Sequence, residues 1–111
     1  MTLSWKWGEF GEVNPIKCVD ADGKDANISY AAAAQTTIYI LSEDKTQVKL
    51  TITNTDFAIV SPNINWTITK TQSEALDPGN YQGEAHVQDA GQTRKAIFEF
   101  PVFVEKAQGN I

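Results

Sequence analysis

Between Tyr81 and Val104 the residues alternate with a period of two, and no other feature restricts the fold so tightly. Tyr81, Gly83, Ala85 and Val87 fall on one side of an extended segment, with Gln82, Glu84, His86 and Gln88 on the other. Asp89-Ala90-Gly91 interrupts the run, and Ala96, Phe98, Phe100, Val102 and Val104 then occupy a single face. Successive side chains of a strand point to opposite faces, so the pattern predicts an antiparallel hairpin with one face in a core. The other face is left to water or to a partner.

Upstream, shorter segments carry the same signature. Leu3, Trp5 and Trp7 alternate with Ser4 and Lys6 as a first strand or N-terminal arm. Residues 13–19 form a second extended run, closed by the turn signal Asp20-Ala21-Asp22-Gly23. Asn27 to Tyr30 is expected as a short strand, and the four alanines that follow are too few to nucleate a helix. Thr36 to Leu41, rich in β-branched and aromatic residues, is expected as a central strand. Val48, Leu50 and Ile52 alternate with polar neighbours, Phe57 to Val60 is a further apolar run, and Ile64, Trp66 and Ile68 alternate again. One helical turn is expected over residues 71–76, capped by Thr71 with Glu74 three residues on. The sum is all-β: seven to eight strands with turns every eight to twelve residues, the pattern of a sandwich or barrel, and one short helical turn. Residues 1–12 are expected as the arm or first strand, 13–106 as the body and 107–111 as a frayed tail.

A chain of 111 residues has room for one domain and one core without a disulfide or metal staple. Its single cysteine, Cys18, excludes an intrachain disulfide and a thiolate cluster, and within the extended run 13–19 it is expected as a small buried hydrophobe. No apolar stretch reaches bilayer length, and no basic start followed by an apolar run marks a signal peptide, so synthesis in the cytoplasm and no membrane partner are expected. The net charge of −5 supplies no basic stripe to neutralise phosphates, which sets nucleic acid aside as a partner.

Candidate sites each compete with a plain structural role. His86, the only histidine, lies on the polar side of its strand between Glu84 and Gln88, with no triad or metal set beside it. Asp20, Asp22 and Asp25 cluster carboxylates as calcium loops do but lack both the fuller Asp-x-Asp-x-Asp-Gly pattern and the completing glutamate of an EF-hand, and a tight turn explains them better. Trp5, Trp7 and Phe10 are candidates for an intersubunit anchor or a sugar-stacking platform, against simple core packing. Ile97, Pro101 and Phe103 fall on the outward side of the last strand, a second apolar face that suggests covering by another chain. No phosphate loop, paired carboxylates or nucleophile motif is present, and neither an enzyme nor a cofactor is expected.

The spacing Asp77-x-Gly79-x-Tyr81 resembles the tyrosine corner of immunoglobulin-like sandwiches, with Gly83 where antibody members carry cysteine. More widely, the turn DADGKDANIS, the strand pair TTIYIL and TQVKLTI, and the closing segment LDPGNYQGEAHVQDAGQTRKAIFEFPVFVE resemble small sandwich proteins of tailed phages. The N-terminal domain of baseplate upper proteins and its stand-alone relatives are examples; this chain departs from them at its start, with Trp7-Gly8-Glu9 where an Arg-Gly-Asp-like turn is common. That resemblance implies an immunoglobulin-like antiparallel β-sandwich and a non-enzymatic virion part, made in the host cytoplasm. Its partners would be other virion structural proteins and further copies of itself, as a capsid decoration or cement protein or a neck, tail or baseplate component. A carbohydrate-binding or adhesion module, suggested by Trp5, Trp7 and the acidic turn, is the alternative.

Overall fold

A computed structural model describes residues 2–107 and shows an all-β body of two sheets. Its strands are β1 (Leu3–Lys6), β2 (Val13–Lys17), β3 (Thr37–Ser42), β4 (Val48–Ile52), β5 (Phe57–Val60), β6 (Asn63–Thr67), β7 (Gly79–Gln88) and β8 (Lys95–Glu105). The larger sheet has the order β1-β8-β7-β3-β4 and the smaller β2-β6-β5. Within each sheet the pairing is antiparallel except for β1, which runs parallel to β8, Leu3 opposite Val102 and Trp5 opposite Val104. The expectation of a wholly antiparallel sandwich is corrected there. β1 is also an integral edge of the larger sheet, so of the two options for the N-terminus the strand is the one observed. Residues 108–111 of the expected tail lie outside the described residues.

The core lies between the sheets. Ile38, Ile40, Ala85, Val87, Phe100, Val102 and Val104 face it from the larger sheet, and Ile16, Phe57, Ile64 and Trp66 from the smaller. Three strands cannot cover five, and the segment 26–35 fills the difference: Ile28 is fully buried, while Ala26, Tyr30, Ala31 and Ala33 pack against the core. This segment is not the short strand expected at Asn27 to Tyr30. Asn27 Oδ1 takes the Ser29 N–H at 3.0 Å, and the Ile28 N–H goes to Ser61 Oγ, also at 3.0 Å. Backbone donors satisfied by side chains in this way have no ladder to join. The alanines wind only as far as a 3-10 turn at Ala33–Gln35.

A second helical turn, α1 (Lys70–Glu74), is capped by Thr69 rather than Thr71. Thr69 Oγ1 accepts the Gln72 N–H at 3.2 Å and Gln72 Oε1 accepts the Thr69 N–H at 3.0 Å, a reciprocal capping box.

After α1 the chain turns through Leu76-Asp77-Pro78 into β7, and Tyr81 donates its phenol hydrogen to the Asp77 carbonyl at 2.7 Å. Burial, and secondarily Asp77, raise the Tyr81 pKa, which keeps the phenol a donor. Tyr81→Phe removes this single bond, so a stability loss of about 1 kcal/mol is expected. A urea midpoint unchanged from wild type would show that the corner is held by packing alone.

Candidate functional site

The outer face of the larger sheet is where the sequence placed three of its six candidate contacts, and its register is set by the long β7–β8 pairing. Ile97 lies opposite His86, Glu99 opposite Glu84, Pro101 opposite Gln82 and Phe103 opposite Asn80. Ile97 is 53% exposed and Phe103 39%, and Pro101 is exposed between them. On the far side of β7, Leu41 pairs with both Gln82 and Val48. Leu41 is only 8% exposed yet stands outside the core, while Val48 is 58% exposed. Ile97, Pro101, Phe103 and Val48 therefore present apolar surface at the two flanks of this face.

Between the flanks the surface is polar and internally braced. His86 Nε2 meets Glu84 Oε1 at 3.0 Å, and its ring lies edge-on to Tyr39 with centroids 4.8 Å apart. Lys45, from the β3–β4 tip, reaches across β7 to Glu99 at 2.8 Å, and that hydrogen bond holds the Lys45 pKa above its ordinary value. The hairpin tips fix their own carboxylates. Thr46 and Ser42 hold Asp44 down at about 2, and Thr93 with the Arg94 N–H lowers Asp89. These are solvent-exposed turn contacts that order the loops and contribute little to stability.

The N-terminal aromatics separate. Trp5 is 2% exposed, set edge-to-face against Trp66 at 5.4 Å, and its Nε1–H donates to the Ser73 carbonyl at 3.3 Å. Its candidacy as an intersubunit anchor is corrected: the indole joins the two sheets from inside. Trp7 is half-buried against the core, and Phe10 remains exposed in the β1–β2 loop. Phe10 is thus the one member of that trio with a largely free ring.

The acidic turn is occupied by its own backbone. Asp20 Oδ1 accepts the Asp22 and Lys24 N–H groups at 3.0 and 3.1 Å, and Asp25 pairs with Lys17 at 2.9 Å. No group of three or more His, Cys, Asp or Glu is gathered around a point among the described residues. Cys18 is fully buried, and burial pushes its thiol up to about 11. Since the thiolate is the reactive species, Cys18 is expected to resist a disulfide reagent in mildly alkaline buffer and to react once urea unfolds the chain. Rapid stoichiometric labelling of the folded protein would contradict this burial.

A second feature was not legible in the sequence. The outer face of the smaller sheet carries an open hollow of about 400 Å³, lined in part by Val13, Asp56, Asn65 and Thr67. Its residues come from three strands and two turns, and only the alternation of Asn65 and Thr67 with buried Ile64, Trp66 and Ile68 hinted at a polar floor.

Comparison with protein families, with curated proteins and with solved structures returns no match.

Proposed function

We propose that this chain is a non-enzymatic structural component of a tailed-phage virion. In this reading it is an immunoglobulin-like sandwich that binds neighbouring subunits, copies of itself among them, through the outer face of its larger sheet. It would serve as a capsid decoration or cement protein or as a neck, tail or baseplate component. The observation that carries the reading is the last strand, whose outer row sets three exposed apolar residues among the charged Lys95, Glu99 and Glu105. Phe100, Val102 and Val104 are buried inside while Ile97, Pro101 and Phe103 stand exposed outside. A strand with water on one side has no need of that second apolar set, whereas a strand covered by another chain does. The tyrosine-corner bond from Tyr81 to Asp77 supports the immunoglobulin-like part of the reading. The phage part rests on the resemblance of the closing segment.

Sugar binding through Trp5 and Trp7 finds no support in the geometry, because one indole is buried and the other is packed against the core. The test is incorporation. Ile97→Lys with Phe103→Lys is expected to leave the circular dichroism spectrum unchanged and to abolish assembly of the chain into virions, scored by electron microscopy. Incorporation at the wild-type level by that variant, or a wild-type chain found only free and monomeric, would overturn the proposal.

A further inference from the structure

The geometry points to a binding site for a neutral, hydroxyl-rich ring, such as one residue of a glycan, in the hollow on the smaller sheet. This site lies on the opposite side of the body from the proposed subunit-binding face and does not depend on it.

The floor is the central strand β6. Asn65 and Thr67 point outward there because Ile64 and Trp66, their neighbours in the alternation, are fully buried. The walls come from the flanking strands, with Val13 opposite Thr67 and Ala58 opposite Asn65. Thr55 and Asp56, in the turn between β4 and β5, close one end. A volume of about 400 Å³ falls within the range of small-ligand pockets, roughly 300–1,000 Å³.

The chemistry of the lining selects the ligand class. Asn65 offers an amide donor and acceptor, Asp56 a carboxylate, and Thr55 and Thr67 hydroxyls that both donate and accept. Among the described residues, the side chains of Thr55, Asn65 and Thr67 make no hydrogen bond within the protein. Asp56 commits only Oδ2, which accepts from Gln72 Nε2 at 2.8 Å. Vicinal hydroxyl groups, each donor and acceptor at once, match such a mixed set, and an apolar ligand would leave it unpaired. No lysine or arginine lines the hollow, and the Asp56 carboxylate opposes an anion. Val13 and Ala58 supply the small apolar walls that the C–H face of a ring would need.

One member of the lining, Asp56, is held in advance of binding. Gln72 fixes Asp56 from below and is itself held by Trp66 Nε1–H at 3.0 Å, while the Thr67 N–H donates to the Asp56 carbonyl at 2.9 Å. A carboxylate fixed in this way loses little freedom on binding.

The experiment is a nitrogen-15 NMR titration of the full chain with D-glucose, D-galactose, D-mannose and N-acetyl-D-glucosamine, and separately with N-acetylneuraminate as the anionic probe. The expected result is a saturable shift of the Asn65 side-chain amide and of the backbone amides of Thr55–Ala58 and Thr67 with at least one neutral sugar. N-acetylneuraminate should produce none. Asn65→Leu and Thr67→Val, each checked for a native dispersed spectrum, should abolish the shift. A flat response to all four neutral sugars would overturn the site, as would shifts confined to other residues, shifts surviving in both variants, or an equal response to the anion.

Discussion

Gly83→Ala is expected to destabilise the protein by about 1–3 kcal/mol, although the same substitution in an open strand would stabilise it. Gly83 sits mid-strand in β7, paired with Ile40 on one side and Phe100 on the other, and the Phe100 ring lies across it. A Cβ built at position 83 would stand 2.7 Å from Phe100 Cδ2 and closer still to Cε2 and Cζ. The reduced entropy of the unfolded chain favours alanine by roughly 0.4–1 kcal/mol. Displacing a ring that is itself buried between two sheets outweighs that gain. Phe100→Leu shortens the obstacle, so Gly83→Ala combined with Phe100→Leu should lose less than the sum of the two single changes. Urea denaturation of the four proteins in this cycle measures the coupling. A Gly83→Ala variant as stable as wild type, or strict additivity across the cycle, would show that the ring does not depend on the missing side chain.

That pairing marks how far the sequence could be followed. The alternation from Tyr81 to Val104 does place Ala85, Val87, Phe100, Val102 and Val104 inside, because a period of two is a local property of the chain. The same pattern shows Gly83 on the inner face but not that Phe100 fills its vacancy, which follows from cross-strand register. Three other departures have the same origin. The parallel docking of β1 on β8 joins residues separated by nearly the whole chain, and it alone takes Trp5 out of contention as a surface anchor. The helix cap moves from Thr71 to Thr69 because Gln72, unlike Glu74, also meets demands from outside the turn, those of Trp66 and Asp56. The hollow on the smaller sheet assembles residues that no spacing rule brings together. Its floor was visible as polar alternation, but its walls and rim were not.

Trp66→Ala is expected to be the most damaging single change, at about 3–5 kcal/mol, a large part of the roughly 5–15 kcal/mol that holds a domain of this kind together. Trp66 is fully buried on β6, and its ring meets Trp5 from the opposite sheet edge-to-face at an interplanar angle of 87°. Its removal opens a cavity where the two sheets are joined. The polar end of the indole is engaged as well: Nε1–H donates to Gln72 Oε1, which also accepts the Thr69 N–H. These two contributions can be separated. Gln72→Leu keeps the volume but leaves a buried indole N–H without its partner and removes the side-chain half of the capping box, while Thr69 Oγ1 still accepts the backbone N–H of residue 72, for an expected loss of about 1–3 kcal/mol. Trp66→Phe keeps an aromatic ring and removes the donor, so the orphan created by Gln72→Leu disappears in the double variant. The double variant should therefore fall short of the summed losses of Trp66→Phe and Gln72→Leu. Thermal and urea unfolding of this set would reveal either outcome. Full additivity would mean that the bond from Trp66 to Gln72 carries no coupling energy, and that Gln72 acts only through the capping box and Asp56.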